Sequence, residues 1–121
     1  SAQSNKETQP ITKVAFKMVY EVQKNNSLKV IIFQPIKGNK KVSKVKIIDS
    51  KSIPGYELKP GTKVTGTFNF STFASDGGLG GTRIYRGKGT GIIMIGEFRS
   101  PNQKTIRPKR RLQQKMELIL N

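Results

Sequence analysis

A chain of 121 residues with 23 Lys and Arg against 7 Asp and Glu, a formal charge of +16, has the length of one ordinary domain. It contains no His, Cys or Trp, which excludes thiol nucleophiles, imidazole acid–base chemistry, Cys/His metal centres and disulfides. Its longest apolar runs, four residues each at Val30 to Phe33 and Ile92 to Ile95, are far short of the roughly 20 residues of a membrane-spanning helix, no hydrophobic leader is expected at its start, and its charge calls for a polyanionic partner.

The first ten residues are polar and are expected to be disordered. From Ile11 to Val22, Val14, Phe16, Met18, Tyr20 and Val22 alternate with Lys13, Ala15, Lys17, Val19 and Glu21, the period of a half-buried strand. Gln23 to Ser27 is a turn, because Asn25 and Asn26 tolerate left-handed backbone. Leu28–Ile36 is the second strand, with Leu28, Val30 and Ile32 on one face, Ile31 and Phe33 on the other, and Pro35 marking its end. Lys37-Gly38-Asn39-Lys40 reads as a hairpin turn into a third strand, Lys41–Asp49, which sets Val45 and Ile47 opposite Lys44 and Lys46. Pro54-Gly55 and Pro60-Gly61 punctuate a loop over 50–61.

Strand four, Thr62–Phe73, carries Val64, Gly66, Phe68 and Phe70 on its core face and leaves Phe73 on the other parity, at the strand end. A glycine-rich loop, Ser75 to Gly81, precedes strand five, Thr82–Phe98, whose Gly87, Gly89, Gly91 and Gly96 predict a bent or bulged strand. In the last segment Leu112, Met116 and Ile119/Leu120 recur at helical spacing behind Pro108, which predicts a C-terminal helix over Lys109–Leu120. The expected architecture is mainly β: a small five-stranded antiparallel barrel of OB type over 11–98, followed by a basic tail and C-terminal helix over 99–121.

The stretch Thr82 to Gly91 interleaves Arg83, Tyr85, Arg86 and Lys88 with glycines. Rings that stack on bases, cations that neutralise phosphates, and glycines that admit a sugar-phosphate backbone are what a single-stranded nucleic-acid surface needs. The same residues also describe a barrel strand bent by Gly with Tyr85 in the core. Tyr56 and Phe73 are further stacking candidates, and Lys13, Lys17, Lys44 and Lys46 are candidate phosphate contacts. Arg107, Lys109, Arg110 and Arg111 form a second basic cluster in the tail. Neither Gly87-Lys88-Gly89 nor Gly77 to Gly81 has the spacing of a phosphate-binding or dinucleotide loop. The seven carboxylates, Glu7, Glu21, Asp49, Glu57, Asp76, Glu97 and Glu117, show no spacing that pairs them for acid–base work or metal binding. No catalytic residue, metal or cofactor is expected.

Long alternating strands, the Pro-Gly turn before Val64-Thr65-Gly66-Thr67-Phe68, the glycine-rich loop and the basic-aromatic stretch Arg83–Lys88 resemble small OB-fold single-stranded DNA-binding proteins of phage, viral or plasmid type, over residues 11–98. The resemblance implies a groove that binds single strands without sequence preference, in dimers or cooperative arrays, in the cytoplasm or in a host-cell interior. Bacterial-type members end in an acidic tail, whereas this chain ends in a basic segment, a candidate for self-association or further nucleic-acid contact. Two other readings stand beside non-enzymatic single-strand binding: a structural protein that packages nucleic acid, and an RNA-binding accessory protein.

Overall fold

The computed structural model describes residues 7–9, 14–37, 44–75 and 86–121. They form seven strands: β1 (Glu7–Gln9), β2 (Ala15–Val22), β3 (Leu28–Pro35), β4 (Val45–Ser50), β5 (Lys63–Ser75), β6 (Gly87–Arg99) and β7 (Leu112–Leu120). All pairings are antiparallel, in the order β3-β2-β5-β6-β7-β4, with β1 added along β5. The β5-β6-β7 meander with β4 laid beside β7 is a Greek key. No helix occurs among the described residues. A single sheet with one apolar face and no helix to cover it buries that face only by curling on itself. The sheet does so as a half-barrel whose edge strands β3 and β4 approach without a ladder between them.

The β class and the alternation of β2 stand as expected: Phe16, Met18, Tyr20 and Val22 are buried and Lys17 is exposed. Asn26, at φ 64°, makes the β2–β3 turn, with the Gln23 amide donating to the Ser27 carbonyl at 2.8 Å. Inside, the rings of Phe16 and Phe33 stack at 4.4 Å, and Phe68 and Phe70 meet edge to face at 4.8 Å.

Four expectations are corrected. Six strands, not five, make the curved sheet, and the short β1 is added along β5, its Glu7 opposite Ser75. The predicted C-terminal helix is strand β7, seated between β6 and β4. Leu112, Met116 and Leu120 are four apart, a spacing that fits a helix stripe and one strand face alike, so pairing on both edges decides it. On β3 a bulge opposite Val19/Tyr20 shifts the register at Ile31, so Phe33 turns inward with Leu28 and Val30 while Ile31 is exposed. On β5 a bulge at Ser71, whose hydroxyl donates to the Thr90 carbonyl at 3.0 Å, swaps the parity of Phe73. Its ring is buried against Phe70, 5.1 Å between centroids. The predicted turn at 38–40, the starts of the third and fifth predicted strands and the loop over 76–81 lie outside the described residues.

Gln114 is the one polar side chain among the inward residues of β7. It accepts the Tyr20 hydroxyl and donates to the Lys51 carbonyl at 2.9 Å, tying β2, β7 and the β4–β5 connection together. Burial pushes the Tyr20 phenol well above its ordinary pKa, with the Gln114 bond working against the rise, so it remains a donor. Gln114→Ala strands that donor in the core and is expected to lower stability by about 1–3 kcal/mol in denaturant unfolding. Tyr20→Phe together with Gln114→Leu is expected to recover only part of the loss, because the phenol no longer needs an acceptor while the Lys51 carbonyl still lacks its Gln114 donor.

Candidate functional site

The antiparallel registers bring the connections over 23–27, 51–62 and 100–111 to one end of the half-barrel. The C-terminal residue, the end of β3, the start of β4, the end of β5 and the start of β6 fall at the other. The first end, here the loop end, gathers cations from two long connections and the strand ends beside them. Lys51 and Lys59 come from the β4–β5 connection, Lys63 and Arg99 from the strand ends, and Lys104, Arg107, Lys109, Arg110 and Arg111 from the β6–β7 connection. All are exposed.

Local sequence explains how these connections hold their shape. Gly55 and Gly61 adopt φ of 82° and 90° in the predicted Pro-Gly turns. The Gly61 amide donates to the Val22 carbonyl at 2.7 Å and anchors the loop to β2, while Ile53 plugs the end of the core. In the β6–β7 connection Asn102 turns the chain at φ 59°, and Ile106 pairs back onto Phe98 with amide–carbonyl distances of 2.8 and 3.0 Å. That fold-back leaves Arg107 to Arg111 outside. Arg107 approaches Glu97 at 3.9 Å with both side chains well exposed, an ion pair worth little in water.

On the outer face at this end, β2, β5, β6 and the β6–β7 connection enclose an open groove of about 350 Å³. Val19, Thr65, Pro101 and Asn102 line it together with Lys63 and Arg99, which sit opposite each other in the β5–β6 register.

The residues singled out from sequence divide between the two ends. Arg107, Lys109, Arg110 and Arg111 lie at the loop end, on a connection between strands and not on a terminal arm. Tyr56 lies there too, 37% exposed, its ring edge to face with Phe98 at 5.0 Å. Lys46 and Lys88 flank Ile119 in one cross-strand row toward the opposite end, with Lys44 and Arg86 nearby in sequence and exposed. There Lys88 is tied to Glu117 at 2.6 Å. Lys17 stands apart on the outer face of β2. Lys13, Arg83 and Tyr85 lie outside the described residues.

Two expected ligand-facing features turn inward. Phe73 is core and has no free face for a base. Gly89 and Gly91 are buried, and a Cβ on either would meet Phe70 at 2.5 Å or Phe68 at 2.3 Å. These glycines make room for aromatic rings, not for a sugar-phosphate backbone. Among the described aromatics, Tyr56 alone is exposed.

Sequence reasoning missed Lys63 as a site residue and placed Arg99 and Lys104 only within a basic tail. The turn at Pro60-Gly61 pointed to the start of β5, but nothing local announces that Lys63 and Arg99 share a register position. Among the described residues no three carboxylates are grouped to hold a metal ion. No protein-family model, curated protein or solved structure matches the chain.

Proposed function

We propose that this chain binds single-stranded nucleic acid, DNA foremost, without sequence preference and without catalysing a reaction. The observation that carries this reading is the convergence of exposed cations from two connections at the loop end. Like charges gathered at one end disfavour the compact state unless a polyanion gains from them, and released counterions then drive association. Tyr56 at the same end, exposed among aromatics that are otherwise buried in the described residues, is a ring that bases can stack on. The curved Greek-key sheet is in keeping with the OB-type reading of the barrel, with a sixth strand where five were expected. Such a protein acts where nucleic acid is accessible, in the cytoplasm or a host-cell interior.

Anisotropy titration of labelled single-stranded and duplex oligonucleotides at two salt concentrations tests the proposal. With about five phosphates neutralised at a slope of ~0.7 each, affinity for single strands falls roughly 100-fold between about 50 and 200 mM salt. A flat salt response sinks the proposal. Equal affinity for duplex removes the stacking role of Tyr56, and competition with RNA of equal length decides between DNA and RNA.

A second reading, nucleic-acid packaging by an assembled protein, is favoured by Ile31 and Ile36 at β3 and Ile48 on β4. These side chains are 46%, 54% and 39% exposed along the two edge strands, where lateral contacts between copies form most readily. It requires particles or filaments on addition of nucleic acid, seen by electron microscopy.

A further inference from the structure

The groove at the loop end has properties that exposed charge alone does not require. Lys63 and Arg99 oppose each other directly in the β5–β6 ladder, an arrangement that costs stability in a sheet because like charges meet. The carboxylates nearby do not cancel both: Glu21 pairs with Lys63 across β2–β5, and Glu97 lies beside Arg107. The groove is also held in shape. The hydroxyls of Thr62 and Ser100 are 3.0 Å apart, linking the two connections. A Cβ at Gly61 would stand 2.6 Å from Cγ of Pro101, so glycine lets the rim close against the β4–β5 connection.

We infer that this groove is a subsite for one nucleotide of the bound strand, its phosphate between Lys63 and Arg99 and its base or sugar against Val19 and Pro101. This rests on the proposed nucleic-acid binding. Two cations in register supply the charge a phosphodiester needs, and an anion between them relieves their repulsion. Val19 and Pro101 supply apolar lining beside that charge, and Asn102 and Thr105, also lining the groove, are residues able to hydrogen-bond. A volume near 350 Å³ is at the lower end of small-molecule sites, the size of a single nucleotide unit and not of a duplex. The carboxylate of Glu97, on the groove wall, repels a phosphate from its own end and so directs it toward Lys63 and Arg99.

The test compares the whole chain with the Lys63→Ala/Arg99→Ala variant, both residues being exposed and their removal leaving the core untouched. Binding of a labelled oligothymidylate is followed across salt, and thymidine monophosphate is titrated into isotope-labelled wild-type protein by NMR. Loss of the one phosphate held between them lowers the salt slope by about 0.7 and the affinity about 5-fold near 0.1 M salt. The monophosphate is expected to shift the Val19 methyl and Asn102 side-chain amide resonances. A steep wild-type slope left unchanged in the variant overturns the subsite while nucleic-acid binding stands. A reduced slope without those two shifts also overturns it, since charge alone is then acting. A flat wild-type slope removes the proposed function itself.

Discussion

Gly91→Ala is expected to destabilise this protein by about 3 kcal/mol, at the upper end of the usual cost of overpacking a core, and to lower Tm by roughly 10 °C. Gly91 lies in the middle of β6, opposite Phe70 on β5 and Met116 on β7. A Cβ there would lie 2.3 Å from Cζ of Phe68 and 2.4 Å from the carbonyl oxygen of Asn69. Phe68 is fully buried and its ring has nowhere to swing, while the Asn69 carbonyl is backbone fixed by the sheet. Both obstacles must move, and neither moves cheaply. Gly91→Val adds two further methyl groups at the same place and is expected to prevent folding. Gly96 is the contrast within the same strand. It sits exposed at a bulge, and a Cβ there meets only the Thr65 carbonyl at 3.7 Å. Gly96→Ala is expected to change stability by no more than about 0.5 kcal/mol. Thermal unfolding of the three variants checks the contrast, and equal effects at 91 and 96 would show that the inward glycines are not shaped around the Phe rings.

The largest effect on binding is expected from the β6–β7 connection. Replacing Lys109, Arg110 and Arg111 together by Ala removes three exposed cations without touching a core contact. If each neutralises one phosphate, the salt slope for single strands falls by about 2 and affinity near 0.1 M salt falls roughly 100-fold. Stability is expected to stay within about 0.5 kcal/mol, because these are surface residues and their removal relieves mutual repulsion. Affinity and salt slope measured with the titration described above, alongside thermal unfolding, check both halves. Unchanged affinity with unchanged stability would move the interface to the opposite end, where Lys44, Lys46, Arg86 and Lys88 lie.

What could be read from sequence, and what could not, divides at particular residues. The alternation of Phe16, Met18, Tyr20 and Val22 marks β2 because a half-buried strand needs nothing beyond its own period. The turns at Asn26, Gly55 and Gly61 are equally local, each requiring a left-handed backbone that its residue supplies. Phe73 fails for a different reason. Its parity depends on the extra residue at Ser71, and a bulge is a property of two paired strands, not of one. Leu118 is the residue that separates strand from helix in the last segment. It joins Leu112, Gln114, Met116 and Leu120 on one strand face, but it falls away from the helical stripe. With polar Gln114 interrupting that face, period 2 is hidden until Tyr20 and the Lys51 carbonyl are seen to satisfy it.

The candidate site divides in the same way. The excess of cations, the absence of thiol and imidazole chemistry and the β class follow from composition and local pattern, which add up residue by residue. Which cations stand together does not. Lys63 and Arg99 are 36 positions apart in the chain and meet only because β5 and β6 pair in one register. Arg107 to Arg111 reads as a terminal arm until β7 returns into the sheet and makes that stretch a connection at the same end. Charge is a sum over the chain, whereas a site is a distance between its members, and only the pairing of strands sets that distance.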